Sequence, residues 1–509
     1  MSDNINSISI VSRASSLATI QAKMVGDRIK EILPDILVRY HTTKTNADIN
    51  ININISDPSE IGIFTKDIST RVIDGECDLA VHSWKDLPIE PTNKTEIIGT
   101  LDRGDMRDVI IMKSKTASLE FKKEIKLLTS SPRRRFNLSQ ILPALIPVKF
   151  KNINYIDIRG NIQTRLKKFQ SGNEDAIILA KVALDRLIEF GNEDIKKYIK
   201  SVLSENNWSI LPLSIFPTAP GQGAIAIEAK KDNKRLKGII QKINSYDSFE
   251  NVHKEKLTLS KYGGGCHQKI GTSVWDENGM KLISLVGMTH DSKLLKNFGP
   301  HKKRQKTAKS DRNNRLYPLK DDKKIFKRQT IDNFEKVKNI RNSIIYLSRK
   351  NVLDNIGHID TSNILWTSGI NCWENAVSKG YWINGTSDSF GEKESINIEN
   401  FLSKNVSSYK LSHDKSSSDN YELISVYKLI VKKNIFKNLN LNDKTHFFWM
   451  SPLQFDLALE LFPEIINGNH SCGFGQTYNH IRTKLPIGQK VERFHSYASW
   501  LELYSGEKI

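Results

Sequence analysis

One pattern recurs through the first half of the chain. A short apolar run ends in serine, proline or glycine with arginine, and a stretch of helical period follows. Ile8-Ser9-Ile10-Val11 runs into Ser12-Arg13-Ala14-Ser15-Ser16 and a helix from about Leu17 to Ile32, with Ser15 or Ser16 as its N-cap. Leu127-Leu128-Thr129 leads into Ser130-Ser131-Pro132-Arg133-Arg134-Arg135 and a helix to about Leu142; serine before a first-turn proline is a start signal. Tyr155-Ile156-Asp157-Ile158 precedes a helix whose start is bracketed by Arg159 and Arg165, and Ala176–Ala180 precedes one containing Arg186. Strands alternating with helices predict an α/β fold, and in an open α/β sheet ligands bind at the carboxyl ends of the strands.

Each junction taken singly reads as a capping serine beside a surface arginine. Repetition changes that reading, because basic residues at successive strand ends describe one cleft for a ligand with several negative groups. Helix N-termini offer free N–H groups to anions, and arginine adds a fork suited to carboxylates. No Gly-rich phosphate loop accompanies the arginines, which disfavours phosphate. They also have few aromatic neighbours, which disfavours nucleic acid despite a formal net charge of +19. Part of that charge lies in a run from His301 to Arg312, read as a solvated linker.

Length, at 509 residues, predicts about three or four domains. The chain shows no apolar run of membrane-spanning length, and with neither a basic start nor an apolar stretch in Met1–Asn6 no secretory leader is expected. Its 4 cysteines (Cys77, Cys266, Cys372, Cys472) are too scattered for a disulfide framework, so a reducing cytosol is expected and no metal site.

Two further stretches carry chemistry. In His82-Ser83-Trp84-Lys85-Asp86-Leu87-Pro88, after the apolar run Leu79–Val81, Lys85 and Asp86 read either as a substrate clamp beside a general acid/base or as a neutralised surface pair. In Tyr262-Gly263-Gly264-Gly265-Cys266-His267, the thiol beside basic groups reads either as a nucleophile or covalent attachment point, or as an inert cysteine after a tight turn. The Pro/Gly-rich Pro217–Ala224 reads as a crossing between domains, leading to a strand at Ile225–Glu228. Asn50–Ile55 alternates but is low in complexity, and reads as a loop or edge strand.

Taken in order, Ser12–Ala18, Ala80–Pro88, Ser130–Arg134, Arg159–Leu166, Pro220–Ala224 and Gly264–Cys266 resemble hydroxymethylbilane synthase, also called porphobilinogen deaminase, over roughly residues 7–290. The resemblance implies two periplasmic-binding-protein-like lobes (1–100 with 205–228, and 101–204) and a small α/β domain (229–300). It implies a dipyrromethane cofactor held covalently by Cys266, to which porphobilinogen units are added after deamination. Asp86 matches the catalytic carboxylate. Arg13, Ser15, Ser83, Lys85, Ser130, Ser131, Arg133, Arg134, Arg159, Arg165 and Arg186 match positions that hold cofactor or substrate. A lid is expected around Asp48–Glu60, where Asp57 and Ile61 stand in place of common lysines. Gly263 and His267 also depart from the usual residues beside the cysteine.

After the linker, set at 301–335, residues 336–509 resemble a uroporphyrinogen-III synthase, which closes the linear tetrapyrrole while inverting its last ring. Trp366–Gly369, Lys379–Gly385, Ser451-Pro452, Cys472–Tyr478 and Phe494–Trp500 carry that likeness. Thr367, Ser368, Ser451, Thr477 and Tyr478 are its candidate binding residues, with helix caps and core contacts as the alternative. The segment looks short for two full lobes. The expectation is a cytoplasmic, monomeric fusion of two successive enzymes acting on a small molecule. A non-catalytic anion-binding module and a deaminase with a docking tail are the competing readings.

Overall fold

Ser7–Arg13 (β1) is a strand because its apolar side chains find cover: Ile8, Ile10 and Val11 are fully buried. In the computed structural model the described residues are 7–43, 63–89, 93–263, 268–301, 315–319, 325–354, 356–393, 395–402, 406–416, 420–432 and 439–505. The chain forms two units, one of Met1–Asp276, Lys281–His301 and Asn397–Lys404, the other of Glu277–Met280, Lys302–Ile396 and Asn405–Ile509.

The first unit contains β1, β2 (Leu37–Thr43), β3 (Leu79–Ser83), β4 (Thr95–Thr100), β5 (Asp108–Lys113), β6 (Phe121–Leu128), β7 (Lys149–Ile156), β8 (Ala176–Ala180), β9 (Asn206–Ile210), β10 (Ile225–Lys230), β11 (Gly271–Glu277), β12 (Met280–Met288) and β13 (Leu294–Pro300). Its principal helices are α1 (Ser16–Ile32), α2 (Ile63–Ile73), α3 (Pro132–Leu145), α4 (Ile162–Ser171), α5 (Lys181–Phe190), α6 (Glu193–Glu205), α7 (Lys234–Gln241) and α8 (Tyr246–Ser260).

Two five-stranded sheets, β2-β1-β3-β10-β4 and β7-β6-β8-β5-β9, share one topology. In each, three parallel strands are followed by one strand antiparallel to both its neighbours, β10 in the first sheet and β5 in the second. The chain therefore crosses between lobes twice, from β4 to β5 and from β9 back to β10. Gly223 shows how closely the crossings pass: at φ +90° a side-chain Cβ there would lie 2.6 Å from the Gly104 carbonyl oxygen. A three-stranded sheet, β11-β12-β13, completes the unit.

The expected domain limits need three changes. Strand β9, placed by sequence with the first lobe, pairs with β5 in the second sheet, because α6 delivers it beside that edge. Helix α7, placed with the small domain, puts Leu236 and Ile240 into the first lobe's core beside Ile98 and Leu101. Asn397–Lys404 belongs to the first unit, where the buried Phe401 meets the Trp208 ring edge-on at 5.2 Å and lies under the Lys181 ammonium at 5.2 Å.

The second unit contains β14 (Leu316–Tyr317), β15 (Phe326–Thr330), β16 (Ile344–Leu347), β17 (Ile364–Thr367), β18 (Gly385–Thr386), β19 (Ser408–His413), β20 (Glu422–Val431), β21 (His446–Trp449), β22 (Asn469–Cys472) and β23 (Val491–Arg493). Its longer helices are α9 (Ile370–Ser378), α10 (Pro452–Leu461), α11 (Gln476–Lys484) and α12 (Tyr497–Ser505). It has a six-stranded sheet, β15-β20-β19-β16-β17-β18, and a four-stranded parallel one, β14-β21-β22-β23. The segment is thus not too short for two sheets. Part of the expected linker 301–335 is folded: Tyr317 of β14 is fully buried beside Phe447 and Trp449, and β15 pairs with β20.

Candidate active site at the strand ends of the first unit

The expected site residues gather where β1, β3, β6, β7 and β8 end. Local chemistry explains each turn. Ser15 caps α1, its Oγ accepting from Ala18 N, and Ser131 caps α3 by accepting from Arg134 N. Ser130 ties two strand ends together: its Oγ donates to Ile158 O at 3.0 Å and accepts from Ile158 N at 2.9 Å. Ser83 Oγ donates to the buried Gln21 Oε1 at 3.0 Å. These four hydroxyls shape the turns through contacts of their own.

The arginines divide into two groups. Arg133 and Arg134 are buried and share the fully buried carboxylate of Asp108, at 2.7 Å and 2.6 Å. Arg133 also donates to Pro217 O and lies over the Phe216 ring, and Arg134 donates to Ile178 O. Burial opposes ionisation of Asp108, but the two guanidinium groups outweigh it and hold its carboxyl well below the usual range. Arg186 is buried too and donates to the Gly223 carbonyl at 2.7 Å, so it braces the return crossing. Sequence gave no means of telling these anchored arginines from the others.

Arg165 belongs to the second group. Its Nε donates to Gly160 O at 2.7 Å, and among the described residues it makes no ion pair. Burial, then Arg134, pushes its pKa down to about 10, with Asp86 opposing and Arg13 adding to the repulsion. Lys85 is shifted the same way, chiefly by burial, with Asp86 opposing and Arg134 and Arg165 reinforcing the fall. Arg13, Lys85, Arg134, Arg165 and Asp86 therefore share one electrostatic neighbourhood. Arg159, half-buried, precedes Gly160 at the end of the β7 segment. Asp86 itself is exposed, on the single 3₁₀ turn Trp84–Asp86 that follows β3. Trp84 N donates to Ala224 O, which fixes that turn against β10.

Cys266 and the proposed lid, Asp48–Glu60, lie outside the described residues, as do Asp57, Ile61 and His267. Sequence reading overlooked Asp108 and Gln222. Asp108 had a signal: an acid opening the apolar run Val109-Ile110-Ile111-Met112 must be paired if the strand is buried.

In the second unit, Thr367 is fully buried with Oγ1 directed to Gly385 O, and Ser451 caps α10 by accepting from Gln454 N. These are core and cap contacts. Ser368 stands at the end of β17, and Thr477 and Tyr478 lie in the first turn of α11, with the Arg493 guanidinium 4.6 Å over the Tyr478 ring. Unforeseen from sequence, Glu392 pairs with the buried Lys410 and accepts from Gln476 Nε2 at 2.6 Å. That network joins the loop carrying Glu392 to β19 of the six-stranded sheet and to the start of α11, the helix after β22 of the four-stranded sheet. Gly391 meets Gly475 so closely that a Cβ on the former would lie 2.9 Å from the latter's Cα.

Among the described residues no His, Cys, Asp and Glu cluster could hold a metal, and no helix is long and apolar enough to cross a membrane. Residues 8–238 match the family model described as "Porphobilinogen deaminase, dipyromethane cofactor binding domain". The porphobilinogen deaminase of Caldicellulosiruptor saccharolyticus is 34% identical over 287 residues, 56% of this chain and 90% of that protein. That of Chlorobium phaeobacteroides is 33% identical over 289 residues, covering 57% and 85%. The crystal structure of a methionine-binding protein matches 50% of this chain and 96% of its own at 11% identity and a TM-score of 0.28. On the sequence matches, which begin with β1 and take in every strand end of the candidate site, the chain belongs to the porphobilinogen deaminase family.

Proposed function

We propose that the first unit joins porphobilinogen units head to tail on a dipyrromethane carried by Cys266, with Asp86 as the catalytic carboxylate. One observation carries this reading: an exposed carboxylate at a strand end is the opposing charge felt by both Lys85 and Arg165, with Arg13 and Arg134 among the like charges around them, an arrangement suited to an anionic ligand handled beside an acid. A dipyrromethane bears carboxylates, so the residues present fit it. Arg13, Lys85, Arg159 and Arg165 would hold its acid side chains, while Arg133, Arg134 and Arg186 brace the walls. When bound, the group supplies the free pyrrole carbon at which each new unit is joined.

Asp86 holds the substrate's aminomethyl nitrogen as the C–N bond breaks. Ammonia leaves with the bonding pair, and the carboxylate stabilises the positive charge left on the pyrrole. The carbon–carbon bond then forms, and the Asp86 carboxylate takes up the proton released from the pyrrole carbon that was joined. Domain limits near those of the sheets, a monomer and a cytoplasmic site belong to the same proposal.

The test is the intact mass of fresh protein beside Cys266→Ser, with turnover of Asp86→Asn. The reading requires one dipyrromethane of added mass, absent from the serine variant. It also requires loss of turnover on the order of 100-fold or more in the asparagine variant. Unmodified wild-type protein from cells that supply the pyrrole would leave an anion-binding module.

For the second unit we propose closure of the linear product with inversion of its last ring. The contact of Glu392 with Gln476 at the start of α11 and the close approach of Gly391 to Gly475, which bring together the segments that follow β18 and β22, support this. Feeding porphobilinogen and separating ring isomers tests it: inverted-ring product is expected from the whole chain, and the symmetric isomer alone would make the second unit a docking tail.

A further inference from the structure

We infer that Gln222 is a positioning residue that holds Lys85 beside Asp86 from the lobe-crossing loop; this deepens, and rests on, the deaminase reading above. Gln222 is 1% exposed, in the Pro/Gly-rich crossing that leads to β10. Its side-chain orientation is dictated. Nε2 donates to Met106 O at 2.7 Å and to Asp108 Oδ1 at 2.9 Å, both pure acceptors, so Oε1 must face the other way. There it meets Lys85 Nζ at 3.4 Å, a long contact of the kind that tightens when a site is filled.

The backbone of Gln222 is held as firmly. Its carbonyl accepts from Arg103 Nε at 2.9 Å, and its N–H donates to Ala219 O at 3.0 Å. Glycines flank it on both sides with positive φ, +78° at Gly221 and +90° at Gly223. A Cβ at Gly221 would lie 3.2 Å from Lys85 N, so the crossing runs directly against the Lys85 backbone. Gly221 N is held by Glu255 Oε2 at 2.7 Å, in a carboxylate that also takes both ends of the Arg103 guanidinium.

One amide thus connects two walls of the site. On one side stands Asp108, which opens β5 and fixes Arg133 and Arg134 at the start of α3. On the other stands the Trp84–Asp86 turn at the end of β3. A change in how the lobes lie about their crossings reaches Lys85 through this amide.

Wild-type holoenzyme, Gln222→Met and Gln222→Glu are compared by two readouts. The first is kcat and KM for porphobilinogen across pH. The methionine variant should lose roughly 10- to 100-fold in kcat with little change in KM, the scale of a misplaced catalytic group. The glutamate variant should be less impaired at low pH, where a neutral carboxyl can still donate to Asp108 and accept from Lys85, and worse as pH rises.

The second readout needs no turnover: the rate of reductive methylation at Lys85, mapped by peptide mass against exposed Lys30 in the same sample. Lys85 should react several-fold faster in Gln222→Met, at unchanged Lys30. Unchanged Lys85 labelling overturns the inference, and so does an equal loss of activity in both variants at every pH. A wild-type protein without turnover, but with Lys85 labelling that depends on residue 222, would refute the deaminase reading and leave the positioning contact established.

Discussion

Replacing Asp108 by Asn asks whether Arg133 and Arg134 are anchored by protein or await a ligand. The asparagine keeps the shape, and its carbonyl can still accept, but it removes the charge that two buried guanidinium groups share. Asp108 is fully buried, and Arg133 and Arg134 are only 4% and 8% exposed, so solvent cannot make up the loss. Breaking a buried ion pair by removing one partner destabilises by about 3–5 kcal/mol. Against a typical total of about 5–15 kcal/mol that is a large fraction. For a body of this size it corresponds to melting lowered by roughly 6–20 °C.

A whole-chain melt mixes two units and is not two-state. The assay is therefore hydrogen exchange read on peptides spanning β5 and α3. Both should lose protection together in Asp108→Asn, while second-unit peptides such as those of β16 keep theirs. The pH dependence has a definite sign. The Asp108 carboxyl is depressed in the folded state, so its stabilisation is complete above the unfolded value of about 3.9 and is lost as pH falls through the folded value. Protection unchanged in the variant would refute the argument, and would mean that these arginines draw their stability from something other than Asp108.

Three other perturbations follow from the same geometry. Burial pushes the thiols of Cys372 and Cys472 up to about 12, so iodoacetamide at neutral pH should leave both unlabelled until the second unit unfolds, as peptide mapping would show. Glu228, buried and paired with His82 at 2.8 Å, is depressed because the hydrogen bond from His82 and its charge, with help from Thr95 and Ser69, outweigh burial. Its contribution is present above about 4.3 and fades below it, so Glu228→Gln should flatten the acid limb of first-unit stability measured by exchange on β3 and β10. Phe401→Ala removes a buried ring from between Trp208 and Lys181 and should weaken protection of α5 and β9 by about 3–5 kcal/mol.

Sequence made the turns legible because their chemistry is local. A serine three residues before the N–H that it accepts from, or a proline in a first turn, acts within one stretch of chain, and Ser15 and Ser131 cap the helices expected of them. Strand β8 is likewise the apolar run Ala176–Ala180 itself. What resisted reading is set by distant partners. Asp108 is 25 and 26 residues from the arginines it binds, and nothing near Arg133 separates it from Arg165. β14 escaped because a strand of two residues, Leu316–Tyr317, is too short to show any period within a basic segment. Glu392 lies in a loop and Lys410 in β19, and neither carries a motif.

The two kinds of arginine also explain how the proposed cleft for a polyanion can be stable before any ligand arrives. A cluster of unanswered cations at five strand ends would repel itself and loosen the lobes. Here the repulsion is confined. Asp108 answers Arg133 and Arg134, and Arg103 is answered by Glu255 in a bidentate pair. Arg186 spends its charge-assisted bond on the carbonyl of Gly223. Around Asp86 stands a second, smaller group, in which burial and like charges lower the pKa of Lys85 and Arg165 while Asp86 opposes the fall. On the proposed reading the anchored arginines would hold the walls and the group around Asp86 would meet the ligand, so two sets of like charge divide the work of shape and of recognition.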